Sequence, residues 1–165
     1  MRIIKVAILT LMSYFTYGQT VTNGDYQEML TKLLSHNVPE VSVAEIDEKA
    51  ENVYFLDARE QDEYNVSHIK EAIWVGYKSF NFKSVKDIPK DAKIIIYCSV
   101  GYRSEKVAEK LIKKGYTDVS NLFGGLFEWS NAGKPMVDNS DKSTKKIHAY
   151  NKNWGKWVFK GEKVY

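Results

Sequence analysis

The sequence predicts a three-layer α/β/α sandwich built on a mostly parallel central sheet. Short runs of β-branched and aromatic residues, such as Val53 to Leu56 and Lys93-Ile94-Ile95-Ile96-Tyr97, have the continuous apolar character of strands covered on both faces. They alternate with segments of helical period, and strand-helix alternation is the signature of a parallel sheet with crossover helices. The length of 165 residues and a hydrophobic fraction of 44% suit one domain with a proper core.

The elements follow in order. Asn23-Gly24-Asp25 opens a helix whose apolar positions Tyr26, Met29, Leu30, Leu33 and Leu34 share one face, ending near Asn37-Val38-Pro39. Val41-Ser42-Val43 reads as a short strand, and Ser42 with Glu45 forms a capping box that opens a helix through about Ala50. Val53 to Leu56 is a buried strand with Asp57 at its end. Glu60 to Asn65 is a short helix, and Ala72-Ile73-Trp74-Val75 is the next strand. From Gly76 to Pro89 no clear period exists, and the segment is expected to be partly helical. Lys93 to Tyr97 is a strand, and Ser104-Glu105 opens a helix with Val107, Ala108, Leu111 and Ile112 on one face, stopped by Gly115. Val119 to Leu122 is a strand, followed by a Gly124-Gly125 turn and a short helix carrying Trp129. Asp138 to Lys146 is polar and reads as a linker. Residues 154–165 carry two apolar runs split by Lys160-Gly161, which suggests a β-hairpin or a strap over the domain.

The N-terminus has a different character. Arg2 and Lys5 precede the apolar run Val6 to Met12, and Thr16-Tyr17-Gly18 offers small residues for a peptidase, so residues 1–18 read as a cleavable secretory signal. The run is too short to span a bilayer, which excludes stable membrane insertion after processing. Export to the periplasm or outside the cell is the expected localisation. Of the net charge of +3, Arg2 and Lys5 supply two, so the processed chain carries +1, too little to imply a nucleic-acid partner. The layout expected is a signal at 1–18, a helical extension at 19–37, the main domain at 38–137, and a linker with an aromatic tail at 138–165.

Cys98 is the only cysteine, and the segment Cys98-Ser99-Val100-Gly101-Tyr102-Arg103-Ser104 runs from a strand into a helix. A free cysteine alone is more often a small buried core residue. Here the loop curls over a helix N-terminus, where unpaired N–H groups and the positive end of the dipole lower a thiol pKa and hold an anion. Gly101 permits the tight turn and Arg103 adds a fixed positive charge. Four residues separate Cys98 from Arg103. That is one fewer than in the cysteine-dependent phosphatases, and the smaller ring suits a single sulfur atom better than a phosphoryl group.

These residues resemble the rhodanese family of sulfurtransferases, whose six-residue active loop begins with the sulfur-carrying cysteine. Phe55 to Ala72 is similar to the family segment D-x-R-x-x-x-E-Y-x-x-G-H-I-x-G-A, matching at Asp57, Arg59, Glu63, Tyr64, His68, Ile69 and Ala72. Ser67 and Glu71 stand where the family usually has glycine, at a cost of about 1 kcal/mol wherever φ must be positive. Leu122-Phe123-Gly124-Gly125, Trp129 and Gly133-Lys134-Pro135 resemble the family's closing turn and last helix. The resemblance covers roughly Val38 to Val137 and leaves both ends unexplained.

The resemblance implies catalytic roles for Cys98 and Arg103, donor binding by Ser99, Val100, Gly101, Tyr102 and Ser104, and a secondary role near the loop for Asp57 and Arg59. The plainer reading of Asp57 is an acceptor of backbone donors, and that of Arg59 a partner of Glu63 or another acid. For Arg103 the plainer reading is a surface pair with Glu105 or Glu128. His68 reads as a turn histidine held by backbone rather than the base of a Cys–His pair, and no Cys/His spacing fits a metal site. The expected activity needs no cofactor. Sulfur passes from a small sulfur-containing anion such as thiosulfate, or from a persulfide, through Cys98 to cyanide or a thiol, protein cysteines included. A catalytically silent or redox-responsive module that docks partner proteins is the alternative, and phosphatase or arsenate-reductase chemistry is a third.

Overall fold

A computed structural model describes residues 20–47 and 52–165. The segment read as a signal lies outside these residues, as does the end of the helix expected through Ala50. Among the described residues no helix is long and apolar enough to cross a membrane.

Five strands form the central sheet: β1 (Glu40–Val41), β2 (Val53–Asp57), β3 (Ile73–Trp74), β4 (Lys93–Tyr97) and β5 (Asp118–Leu122). Their order is β1-β5-β4-β2-β3 and every pairing is parallel. β4 occupies the centre, with Ile94 opposite Tyr54 on one side and Val119 on the other. Alternation along β4 feeds two cores. Ile94 and Ile96 pack with Val107, Ala108 and Leu111 of α3 (Tyr102–Lys113). Ile95 and Tyr97 face Leu126, Phe127 and Trp129 of α4 (Gly125–Asn131) and Tyr26 and Leu30 of α1 (Gly24–Leu33). Both faces are covered, so the uninterrupted apolar run of β4 is what a central parallel strand requires.

The helix α2 (Gln61–Val66) precedes β3, and single 3-10 turns span Val43–Glu45 and Phe82–Val85. Ser42 and Glu45 do form the expected capping box, the Ser42 N–H reaching the Glu45 carboxylate at 2.8 Å. Ile46 then turns extended and buries its side chain, which ends this helix after one turn, and Ser42 serves as its cap rather than as part of the expected strand.

The extensions close over the sheet's carboxyl end. Asn23 caps α1 by accepting the Tyr26 N–H at 2.9 Å, and the Tyr26 hydroxyl donates to the Gly124 carbonyl at 2.8 Å. Burying Tyr26 and Leu30 completely stabilises this attachment by about 1.5–3 kcal/mol per side chain. At the far end of α1 the buried Glu105 carboxylate accepts the N–H groups of Ser35 and His36.

Beyond α4 the polar segment is ordered rather than a linker: β6 (Met136–Val137) and β7 (Ser143–Thr144) pair antiparallel, and Asp138 closes their turn by accepting from Ser140 and Lys142. The tail is not a hairpin. β8 (Lys146–His148) and β9 (Glu162–Val164) run parallel, joined across α5 (Lys152–Gly155). Asn131 of α4 donates to the Trp157 carbonyl at 2.9 Å and accepts the Phe159 N–H at 2.7 Å, so the tail is strapped to the domain. Trp157 stacks on Tyr26 at 5.4 Å, joining the two extensions.

Of the two residues in the glycine positions, Ser67 is extended with φ −167°, which any residue adopts. Glu71 has φ +63° and carries the strain, about 1 kcal/mol.

Candidate active site

Cys98 directly follows β4, at the end of the sheet where open α/β folds bind ligands. The geometry of the loop is imposed by α4. The Leu126 N–H donates to the Cys98 carbonyl at 2.8 Å and the Phe127 N–H to the Ser99 carbonyl at 3.0 Å. Each trans peptide sets its N–H opposite its C=O, so the N–H groups of Ser99 and Val100 are turned away from α4. Such close approach needs glycine at position 125: it has φ +57°, and a Cβ there would stand 2.5 Å from the Cys98 carbonyl oxygen.

Gly101, at φ +113°, brings its own N–H to 3.2 Å from Cys98 Sγ. Its carbonyl is held from behind by Asn121 Nδ2 at 3.0 Å, while the Ser104 hydroxyl reaches the same carbonyl and Asn121 Oδ1. Burial pushes the Cys98 thiol up, but the Arg103 charge and hydrogen bonds from Ser104 and Gly101 outweigh it and leave the pKa below the ordinary cysteine value. The cysteine is 1% exposed, yet it lines a cavity of about 250 Å³ together with Ser99, Val100, Tyr102 and Arg103.

Arg103 is anchored by Glu63. Its two terminal nitrogens reach the two carboxylate oxygens at 2.6 and 2.8 Å, the fork-to-fork geometry of a strong pair. Ser99 Oγ donates to Glu63 at 3.0 Å and accepts from Arg103 at 3.0 Å, tying the loop to α2. Burial raises the Glu63 pKa, but the bonds and charge of Arg103, with the charge of Arg59, hold it down at about 2.

The structure thus brings Cys98, Ser99, Val100, Gly101, Tyr102 and Arg103 together. Ser104 is fully buried with its hydroxyl bonded to the Gly101 carbonyl and Asn121, and it is absent from the cavity lining. Asp57 and Arg59 form a completely buried pair, closest at 2.6 Å, and Arg59 also donates to the Ser67 carbonyl at 2.6 Å. Asp57 therefore accepts the Arg59 guanidinium besides the Arg59 backbone N–H, and it, not Glu63, is the acid that Arg59 meets. The acids expected for Arg103 are committed elsewhere: Glu105 to the N–H groups of Ser35 and His36 after α1, and Glu128 to Thr22. His68 donates from Nδ1 to the Tyr64 carbonyl at 3.0 Å and stacks on the Tyr64 ring.

Sequence reasoning did not assign Glu63 or Asn121 to the site. For Asn121 a signal existed, a strand-disfavoured amide within the segment Val119 to Leu122 read as a strand. Glu63 carried only its place in the family segment.

The fold is a parallel α/β sandwich with a cysteine at the end of its central strand, its sulfur accepting the Gly101 N–H of the loop that follows. The chain belongs to the rhodanese-like domain family, which matches residues 40–132. A tRNA uridine(34) hydroxylase of Bacillus cereus is 37% identical over 83 residues, 47% of this chain and 26% of that protein. The chain thus spans about a quarter of the curated relatives it matches. Among solved structures, a rhodanese-related protein from Thermoplasma volcanium aligns with TM-score 0.53 and 25% identity over 60% of this chain and 97% of that one. A protein from Bacillus halodurans gives TM-score 0.56 and 25% identity over 69% and 84%.

Proposed function

We propose that this protein is an exported sulfurtransferase that carries sulfane sulfur as a persulfide on Cys98. The observation that carries the reading is the convergence of the Gly101 N–H and the Arg103 charge on Sγ, which lowers the thiol pKa although the group is buried. The thiolate attacks the outer sulfur of thiosulfate or a persulfide donor. A new S–S bond forms to Cys98 as the donor's bond to that sulfur breaks, and the remainder departs with the bonding electron pair, as sulfite in the case of thiosulfate. The persulfide anion rests against the amides of residues 99–103. A thiolate or cyanide then takes the outer sulfur and regenerates the Cys98 thiolate in a ping-pong cycle. The commitment of the Arg103 fork to Glu63 weighs against phosphatase chemistry, since the bonds to Glu63 and Ser99 take three of its five N–H groups and leave fewer to clasp phosphoryl oxygens.

Intact-mass measurement after exposure to thiosulfate and to a glutathione persulfide tests the reading. A gain of one sulfur that is absent from Cys98→Ser is expected. No adduct from either donor refutes it in favour of a partner-docking module, and turnover of an aryl phosphate refutes it in favour of phosphatase chemistry. For export, N-terminal sequencing of protein recovered from its native host is expected to start near Gln19, and an intact Met1 refutes that part.

A further inference from the structure

Three walls of the cavity over Cys98 come from parts of the chain that the family match does not include. Leu33 belongs to α1, and Tyr150 and Trp154 belong to the tail. With Val100 and Tyr102 of the loop they make the mouth apolar and aromatic. Among the described residues lining it Arg103 is the only cation, and its charge is already matched by Glu63. An inorganic dianion therefore finds only the loop amides and this one guanidinium, shared with Glu63, to attract it.

Tyr150 is built into this position against a backbone penalty. It adopts φ +63°, in the left-handed region disfavoured for a bulky residue, yet 54% of it is exposed, so burial does not account for the conformation. Its N–H donates to His148 Nδ1 at 3.1 Å, and its ring lies 5.7 Å from the Arg103 guanidinium. The turn that sets this φ is closed by the Asn151 N–H on the Ala149 carbonyl at 2.7 Å, and it leaves the Tyr150 ring at the cavity wall beside Trp154. An apolar cavity of about 150 Å³ already holds benzene, so about 250 Å³ accommodates a phenyl-sized body with a sulfur-bearing head.

Resting on the sulfur-transfer reading above, we propose that this site takes an organic sulfane-sulfur donor with a compact apolar or aromatic body in preference to thiosulfate, and that Tyr150 and Trp154 set that preference. With an aryl thiosulfonate, the Cys98 thiolate bonds to the terminal sulfur, the sulfur–sulfur bond to the sulfonyl group breaks, and an aryl sulfinate leaves with the electron pair. Atoms and charge balance without any external oxidant or reductant.

The test compares kcat/KM for benzenethiosulfonate, methanethiosulfonate and thiosulfate, with thiocyanate formed from cyanide as the readout. Burial of a phenyl body predicts a preference for benzenethiosulfonate over thiosulfate of about tenfold or more. Trp154→Ala and Tyr150→Gly are each expected to lower that ratio several-fold, while Trp154→Phe, which retains a ring, preserves most of it. Thermal melts of each variant separate lost selectivity from lost fold. If thiosulfate is used as well as the aryl donor, or if the ratio stays at the wild-type value in both truncated variants, the proposal is overturned while sulfur transfer stands. If no donor loads Cys98 in the intact-mass experiment, the sulfur-transfer reading itself fails, and this inference with it.

Discussion

Replacing Glu63 with glutamine tests the electrostatic frame of the site. The carboxylate is nearly buried and bidentate to Arg103, and its pKa is depressed from 4.5 to about 2. A depressed carboxylate pKa contributes stability that is fully present above the unfolded value and is lost as pH falls through the folded one. At 1.36 kcal/mol per unit, the shift corresponds to about 3 kcal/mol at pH 7 and about 1 kcal/mol at pH 3. Glutamine keeps the shape and one acceptor but not the charge. Urea denaturation of wild type and Glu63→Gln is therefore expected to differ by about 3 kcal/mol at neutral pH, with the gap shrinking below pH 4.5 and nearly closed at pH 2. A gap independent of pH would show that Glu63 acts through packing alone and refute the reasoning.

Three further outcomes follow from the same contacts. Gly125→Ala combines positive φ with a contact of 2.5 Å to the Cys98 carbonyl, and should cost about 2–4 kcal/mol by denaturant melt and abolish loading of sulfur onto Cys98. Asp57→Asn leaves the buried Arg59 charge without its counter-ion and should cost about 3–5 kcal/mol, whereas thiol reactivity at matched folded fraction should change little. Asn131→Ala removes the acceptor and donor that strap the tail, which should cost about 1–3 kcal/mol and raise amide exchange at Phe159 and Lys160 before the central sheet responds.

Much of the fold was legible because the strongest local signals agreed with the tertiary structure. The run Lys93 to Tyr97 is β4 to the residue, and of the expected α3 stripe Val107, Ala108 and Leu111 are buried while Ile112 is exposed. Where the reading missed, long-range partners decided. The capping box of Ser42 and Glu45 formed, but burial of Ile46 stopped the helix after one turn. The polar stretch from Asp138 looked like a linker because its order comes from an Asp138 turn and strand pairing, which composition does not encode. In the tail, two apolar runs around Lys160-Gly161 carried no information on partner: the first forms no strand, and β9 pairs parallel with β8 across α5. The cysteine loop was readable from strand, glycine and helix start. The partner of Arg103 was not, because Glu63 lies 40 residues away and other acids competed equally in sequence.

The central claim is that loop donors and the Arg103 guanidinium favour an ionised sulfur at position 98 despite its burial. The pH dependence of alkylation of Cys98 by iodoacetamide, in wild type and in Arg103→Ala, measures this directly. A midpoint below that of an unperturbed cysteine, rising in Arg103→Ala, is the predicted result. A wild-type midpoint at or above the unperturbed value, unmoved by the substitution, would contradict it.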